Sequence, residues 1–189
     1  MAQKKYGMVI DLRRCTGCHA CAVACKSEFG VRLGVFRTWV KYFEVGTYPA
    51  TRRYFLPKLC NHCDNPPCVP ACPVNATYKR EDGIVLVDYD RCIGCGHCMK
   101  ACPYDARFLQ PDKKIVDKCT FCEHRVEQGL VPACVNTCQG RARVFGDLND
   151  PQSEVSLLKA QQATQVLRPE AGTGPEIHYI APGIQVASK

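Results

Sequence analysis

A small α+β fold organised around bound metal is predicted by three features of the sequence. Cysteine accounts for 16 of the 189 residues, which is far above its ordinary usage. Without cysteine the apolar share falls from 46% to about 38%, so a conventional hydrophobic core would be thin. Short apolar segments lead into the cysteines, and helix-compatible residues follow them. We therefore expect the cysteines to replace part of the core and to act as metal ligands.

The cysteines fall into four groups of four, and their spacing is the strongest signal in the chain. The groups are Cys15, Cys18, Cys21 and Cys25; Cys60, Cys63, Cys68 and Cys72; Cys92, Cys95, Cys98 and Cys102; and Cys119, Cys122, Cys134 and Cys138. Groups one and three have the spacing C-x2-C-x2-C-x3-C, and Pro103 follows group three, as in bacterial ferredoxins that hold 4Fe-4S clusters. Groups two and four keep the CxxC start and the Cx3C end but widen the middle. The spacing predicts four 4Fe-4S clusters.

An internal repeat indicates two modules. Residues 9–18 match residues 86–95 at a constant offset of 77, and Asp, Arg, Gly and both cysteines coincide. Residues 71–76 parallel residues 101–106 in the same way, and Ala142 follows Cys138 by four residues as Ala106 follows Cys102. The chain is therefore predicted to contain two ferredoxin-like modules.

The pairing of the groups follows from the length of chain between them. Nineteen residues with a hairpin signal separate Cys72 from Cys92, which suits the link within one two-cluster module. In such a module three cysteines bind one cluster and the fourth binds its neighbour. Groups two and three are thus predicted to form an inner module inserted into an outer module of groups one and four. The predicted ligand sets, numbered one to four, are Cys15, Cys18, Cys21 and Cys138; Cys25, Cys119, Cys122 and Cys134; Cys60, Cys63, Cys68 and Cys102; and Cys72, Cys92, Cys95 and Cys98.

The module boundaries follow from this nesting. The outer module is predicted at 1–30 and 108–147, an insertion at 31–56, the inner module at 57–107, and a C-terminal helix and extended arm at 148–189. Strands are expected at Tyr6–Ile10 and Arg53–Leu56, a helix within His19–Phe29, and an edge strand of the insertion at Trp39–Val45.

Two hairpins and a C-terminal helix complete the predicted elements. The hairpins are Tyr78–Val87, with Gly83 at the turn, and Phe108–Val116. The helix is Glu154–Leu167, where Val155, Leu158 and Val166 have rough helical spacing. The tail from Arg168 contains Pro and Gly, and is expected to lie on a partner surface or to be solvated.

Other interpretations of the cysteines are disfavoured. A disulfide framework does not suit a chain in which no apolar leader follows Met1 and CxxC pairs recur. Structural zinc normally joins two separated CxxC pairs instead of four cysteines in one short run. Because the cysteines already complete four sets, the histidines are expected to be surface or hydrogen-bonding residues: His19, His62, His97, His124 and His178. Three lysines beside cluster cysteines are expected to be mainly solvated charges, with roles in cluster potential or docking as the alternative: Lys26, Lys100 and Lys118.

Charge and motifs exclude several function classes. Each oxidised 4Fe-4S core carries about +2 and its four thiolates about −4, so four clusters bring the formal +7 to about −1. The surplus cations are therefore expected to balance clusters, with no nucleic-acid partner. No apolar run is long enough to span a bilayer, and no dinucleotide fingerprint, P-loop or nucleophile motif occurs. A cluster held by four thiolates has no open position, which predicts a non-catalytic electron-transfer subunit.

Several longer motifs resemble one known group. They are Met8-Val9-Ile10-Asp11, Cys60-Asn61-His62-Cys63, Asn65-Pro66-Pro67-Cys68, residues 102–107 (CPYDAR), residues 118–122 (KCTFC), Phe145-Gly146-Asp147-Leu148 and the tail residues 167–175 (LRPEAGTGP). The chain resembles the four-cluster iron-sulfur B subunits of the dimethyl sulfoxide reductase family of molybdopterin enzymes. The tail is most similar to the B subunits of polysulfide, tetrathionate and arsenate respiratory reductases. Some relatives replace the second cysteine of group three with Trp; the cysteine here, Cys95, implies a 4Fe-4S cluster.

The resemblance implies partners and a location. It implies a catalytic subunit with molybdenum or tungsten pterin beside groups one and four, and a quinol-oxidising membrane subunit at the inner module. It also implies a periplasmic site peripheral to the cytoplasmic membrane, reached by co-export with a twin-arginine-tagged partner, with a cytoplasmic site as the alternative. The competing functions are a stand-alone polyferredoxin shuttle and the equivalent subunit of a formate dehydrogenase, hydrogenase or nitrite reductase system.

Overall fold

The computed structural model describes residues 3–181 and 183–186. The strands are β1 (Tyr6–Asp11), β2 (Thr38–Val45), β3 (Arg52–Leu59), β4 (Thr77–Lys79), β5 (Val85–Val87), β6 (Arg107–Leu109), β7 (Val116–Lys118), β8 (Arg143–Asp147), β9 (Thr164–Gln165) and β10 (Ile177–Ile180). The helices are α1 (Ala20–Phe29), α2 (His97–Lys100), α3 (Glu123–Val126), α4 (Ala133–Asn136) and α5 (Glu154–Gln161), with a 3₁₀ turn at Pro169–Ala171. The predicted α+β class is confirmed. Among the described helices, none has the length and apolar character needed to cross a bilayer.

A four-stranded sheet joins the two ends of the predicted outer module. Its order is β8-β1-β10-β9. Strand β1, which leads into cysteine group one, pairs antiparallel with β8, which follows group four. Segments far apart in sequence thus meet at the base of the two groups. Val9 and Ile10 in β1 are fully buried, as expected for the middle strand of a covered sheet.

Three two-stranded hairpins account for the remaining strands. The eight-residue pairing of β2 with β3 confirms the strand predicted at Trp39–Val45, and β3 continues without a break to Leu59. The hairpins β4–β5 and β6–β7 lie where the turn signals predicted them. Each lies between two consecutive cysteine groups along the chain.

The prediction that the C-terminal tail lies on a partner surface or is solvated is wrong. All four residues of β10 are buried, and β10 lies parallel to β1 in the main sheet. Before β10 the tail is extended, as predicted, but it follows this chain's own surface: the amide N–H of Asp64 donates to the Gly174 carbonyl at 2.7 Å. The reason is that β1 would otherwise leave one edge unpaired, and Ile177, Tyr179 and Ile180 suit a buried strand, while His178 is buried beside Glu176.

Helix α5 is shorter than predicted. Ser153 caps its N-terminus by accepting from the Ser156 amide at 3.3 Å. The helix ends at Gln161, because Gln162 is extended and Thr164–Gln165 pairs with the end of β10. Val166 therefore lies outside the helix. Edge pairing with a buried strand here prevails over weak helical periodicity.

Cysteines make up a large share of the interior, as the composition predicts. Five of them belong to the main cluster of buried apolar residues: Cys21, Cys60, Cys63, Cys119 and Cys134. They pack with ordinary core residues such as Leu56, Leu59 and Ile84. The expected replacement of core by cysteine is confirmed.

Candidate metal centres

In each CxxC pair, the residue just before the second cysteine has a left-handed backbone conformation. The third residue of the four pairs has positive φ: Gly17 (70°), His62 (42°), Gly94 (67°) and Phe121 (55°). Glycine adopts this conformation readily, and other residues do so at a cost. The rings of His62 and Phe121 stack face to face at 3.7 Å between centroids, and both are buried. The cysteine spacing did not reveal these two positions, although an alignment of the four CxxC pairs would have identified them.

Gly94 also lies against backbone, which makes a substitution there testable. A Cβ on Gly94 would lie 2.0 Å from the Lys114 carbonyl oxygen, whereas a Cβ on Gly96, also at positive φ, would meet nothing within 4 Å. We expect Gly96→Ala to cost about 1–2 kcal/mol of stability, from left-handed strain alone. Gly94→Ala adds a collision that requires a backbone shift, and should cost about 1–3 kcal/mol more. Anaerobic denaturant titration of both variants measures the difference, and equal midpoints would refute this account.

The cysteines of set three surround one space inside the inner module. One cavity, with about 310 Å³ not occupied by atoms and part of it open to solvent, is lined by Cys60, Cys63, Cys68 and Cys102. Its wall also includes Asn61, Pro66, Pro67, Val85, Pro103, Tyr104 and Arg107. Burial raises the pKa of the Cys63 thiol to about 12, and the neighbouring Cys60 adds to that rise. Because metal ligands must lose their protons, binding at such thiols releases protons.

The cysteines of set one surround a second space, near the end of the outer module. This cavity, with about 370 Å³ not occupied by atoms and part of it open to solvent, is lined by Cys15, Cys18, Cys21 and Cys138. Cys18 is exposed, and the backbone N–H of Ala20 helps to lower its pKa. The structure thus brings group four's last cysteine to the first three of group one.

The cysteines of set two are buried together where α1 packs on α4. Burial, together with the charges of Cys134 and Cys122, raises the pKa of Cys25 to about 12. Burial also raises the pKa of Cys119 well above its usual value, and the charges of Cys25 and Cys134 contribute to that rise. These interactions bring together all four predicted members of set two.

The predicted members of set four have different surroundings. Cys92 and Cys98 contact one small apolar cluster with Val85 and Val116. Cys95 is exposed, with the Nδ1 of His97 3.2 Å from its sulfur. Cys72 is half-buried, and backbone N–H groups lower its pKa although burial opposes them.

A recurrent turn directs backbone N–H groups at the last cysteine of three groups. The amide of Ala76 donates to the Cys72 sulfur at 3.2 Å, and the amide of Ala142 donates to the Cys138 sulfur at 3.3 Å. The amide of Ala106 likewise stabilises the Cys102 thiolate. The residue before each alanine has positive φ: Asn75, Asp105 and Arg141. These alanines belong to the sequence repeat, and the structure gives their role, since such bonds favour thiolate over thiol.

Unpartnered polar atoms beside the cysteines fit a group rich in acceptors. Two donors, the side-chain amide nitrogen of Asn61 and the Thr120 hydroxyl, are buried without a protein partner, and each residue directly follows a cysteine. Buried donors normally find acceptors, and thiolates with inorganic sulfide would supply them. Within the described ranges, no three His, Cys, Asp or Glu side chains converge closely enough to hold a single metal ion. The four cysteines around each of the two spaces, and the buried donors beside Cys60 and Cys119, fit iron-sulfur clusters.

Cysteines of consecutive sets lie near one another. Cys21 of set one interacts with Cys134 of set two. Cys119 of set two interacts with Cys60 of set three. Cys68 of set three packs with Cys98 of set four in one apolar cluster. The order is therefore one, two, three, four.

The histidines have varied surroundings. Nε2 of His19 contacts the Tyr42 hydroxyl at the surface, and Nε2 of His124 lies 2.7 Å from Glu28. His62 is buried and its Nδ1 accepts from the Val85 amide at 3.0 Å. His178 is buried beside Glu176.

Of the three lysines beside cluster cysteines, one is not the solvated charge that the sequence predicts. Lys100 is exposed, and Lys26 donates to the carbonyls of Arg32 and Val35. Lys118 is fully buried, so its description as a solvated charge is wrong. Residues 116–119, which comprise β7 and Cys119, are all buried, so the Lys118 side chain does not reach solvent.

Comparison with known proteins gives a consistent result. The 4Fe-4S dicluster domain family matches residues 51–148, and a 4Fe-4S binding domain matches residues 6–27. The B subunit of tetrathionate reductase from Salmonella typhimurium is 53% identical, over 93% of this chain and 72% of that protein. The B subunit of sulfite dehydrogenase from Allochromatium vinosum is 45% identical, over 92% and 81%. The B subunit of polysulfide reductase from Wolinella succinogenes is 42% identical, over 94% of each.

Proposed function

The chain belongs to the iron-sulfur B subunits of the dimethyl sulfoxide reductase family of molybdopterin enzymes, and we propose that it conducts electrons between a membrane quinol-oxidising subunit and a molybdopterin catalytic subunit. Four 4Fe-4S clusters, one at each ligand set, would form the path. The observation that carries this proposal is that cysteines of consecutive predicted sets lie near one another. A line of closed clusters suits one-electron transfer, because no iron has a free coordination position for substrate.

The cofactor and the chain have separate tasks in this function. Each cluster, when bound, supplies reversible one-electron oxidation and reduction. The chain's own residues hold it with four thiolates, keep it apart from the next set, and donate backbone N–H groups to the ligand sulfurs. Cys18, a predicted ligand in set one, and Cys95, a predicted ligand in set four, are exposed, which supports docking of partners beside these two sets.

The reaction class served is proposed from the relatives' names. Two of the three compared relatives are subunits of reductases for sulfur compounds, tetrathionate and polysulfide. We assign this chain to the same class, with the catalytic subunit at set one and the membrane subunit at set four. The assembly would lie at the periplasmic face of the cytoplasmic membrane. The three compared relatives also include a sulfite dehydrogenase subunit, in which electrons would run in the opposite direction along the same line.

Anaerobic purification of the tagged chain from its own cells tests the proposal. We expect a large molybdenum- or tungsten-containing chain to co-purify, and about sixteen iron atoms and as many sulfides per copy of this subunit. A tetrathionate or polysulfide assay with reduced quinol then identifies the substrate. A chain that elutes alone with its iron complete would instead be a polyferredoxin shuttle, and a chain containing zinc would refute both functions.

A further inference from the structure

Three cationic side chains lie inside the protein, next to the cysteine sets. Arg143, Lys118 and Arg107 are 3%, 0% and 5% exposed. Within residues 3–181 and 183–186, none of the three forms an ion pair with a carboxylate. A buried charge needs a counter-charge. The two arginines contact cysteine sulfurs, and Lys118 contacts backbone carbonyls beside the cysteine sets.

Arg143 lies between set one and set two. Its side chain lines the space enclosed by set one. Its Nη1 also lies 3.5 Å from the sulfur of Cys134 in set two, while its Nη2 donates to the Thr38 hydroxyl at 2.9 Å. Burial alone would lower the pKa of Arg143, but Cys134 and Cys21, one from each set, raise it above its usual value.

Arg107 lies between set three and set four. It lines the space enclosed by set three, and its Nη2 donates to the Cys68 sulfur at 2.9 Å. Cys68 in turn packs with Cys98 of set four. Burial opposes the charge, yet Cys68, Cys60 and Cys98 raise the pKa of Arg107 on balance.

Lys118 lies between set two and set three. Its Nζ donates to the carbonyl of Cys119, a set two ligand, at 2.7 Å. It also donates to the carbonyl of Val85, which lines the space of set three. The three junctions between consecutive sets thus contain one buried basic side chain each. Burial lowers the pKa of Lys118, and the charges of Cys60 and Cys119 oppose that shift.

We propose that Arg143, Lys118 and Arg107 are shared counter-cations, each raising the reduction potentials of the two clusters that flank it. The proposal rests on the proposed function in requiring a cluster at every set. One electron enters a cluster from its neighbour and leaves to the next, without bond formation or proton transfer. While it holds the electron, the cluster with its four thiolates has a net charge of about −3 instead of about −2. A cation in a low-dielectric gap stabilises the added charge on either side.

Sharing gives the proposal a distinctive signature, because each substitution should affect two neighbouring clusters. At a fixed solution potential, Arg143→Gln should lower the reduced-to-oxidised ratio about tenfold, or 59 mV for a one-electron couple, for sets one and two only. Arg107→Gln should do so for sets three and four only. Redox titration of the full-length, cluster-loaded protein, followed by electron paramagnetic resonance, measures these ratios. Arg143→Lys, which keeps the charge, should restore most of the shift.

Arg91 provides the matched control. It directly precedes Cys92, but its side chain is 68% exposed and pairs with Asp88, so solvent screens its charge. Arg91→Gln should leave all four potentials unchanged. A shift of similar size in Arg91→Gln, a shift confined to one cluster in Arg143→Gln, or an equal shift of all four would overturn the proposal.

Loss of iron is separated from loss of charge by a second pair of variants. If Arg143→Gln does not assemble, Lys118→Met and Lys118→Arg test the same claim at the middle junction, where only the neutral variant should shift sets two and three. Iron loss in every neutral variant, with unshifted potentials in the clusters that remain, would show a purely structural role and overturn the proposal. Fewer than four clusters in the unmodified chain would count against the proposed function, whereas four clusters with unmoved potentials would refute the shared cations alone.

Discussion

Replacing Cys102 by alanine is expected to eliminate or degrade the cluster of group two and to leave that of group three intact, although Cys102 belongs to group three by sequence. Cys102 lines one space with Cys60, Cys63 and Cys68, and Cys60 is among the charges that raise its pKa. A 4Fe-4S cluster that loses one of four thiolates is lost or becomes a three-iron form. The iron content should therefore fall from about sixteen atoms by between one and four per chain.

The reciprocal variant is the matched control for this exchange. Cys72→Ala, which alters group two by sequence, should perturb the cluster of group three. The two signals can be assigned with Cys63→Ala and Cys95→Ala, whose groups and sets agree. Cys102→Ala should then give the spectrum of Cys63→Ala, and Cys72→Ala that of Cys95→Ala. The opposite correspondence would mean that each group binds its own cluster, and the nested ligand sets would be wrong.

Most of the fold was predictable because the cysteine spacing is a local constraint. The strand before group one, the helix after Cys18, the strand at Trp39–Val45 and both hairpins were predicted from patterns of a few residues. The ligand sets and module boundaries remain predictions, and the spaces around Cys15 and Cys60 support two of the sets.

What the sequence did not reveal depends on contacts between distant segments. The burial of Ile177–Ile180 arises because β1 needs a partner on its second edge. The burial of Lys118 arises from the arrangement of two cysteine sets around it, and nothing in its neighbours along the chain indicates that. Left-handed His62 and Phe121 occupy positions where the other CxxC pairs have glycine, and only their mutual stacking shows how bulky residues fit there.

The second large effect is expected at a buried ion pair that fixes the insertion to the outer module. Arg37 and Asp117 are 6% and 2% exposed, and their side chains meet at 2.9 and 3.0 Å. The Tyr89 hydroxyl donates to the same carboxylate at 2.8 Å, and the Lys118 amide donates at 2.7 Å. The guanidinium also lies 3.8 Å from the centroid of the Phe29 ring. One carboxylate therefore connects three segments of the chain.

Asp117→Ala should lower the free energy of unfolding by about 3–5 kcal/mol, because it leaves the Arg37 charge buried without a partner. Asp117→Asn keeps one acceptor oxygen and should cost less. Anaerobic denaturant unfolding, followed by circular dichroism and by cluster absorption, measures the loss. Because Asp117 lies next to Lys118 and Cys119, iron content is determined first, so that the comparison is made between fully loaded proteins.

The exposed pair Arg53–Glu44 shows why burial is the decisive variable. Its contacts are as short, at 2.7 and 3.1 Å, and it also links two strands, but its side chains are 63% and 54% exposed. Glu44→Ala should therefore cost only about 0–1 kcal/mol. Replacing both Arg37 and Asp117 by apolar residues should cost less than Asp117→Ala alone, since no uncompensated charge remains. If Asp117→Ala were as mild as Glu44→Ala, the pair would not be what holds the insertion against β7.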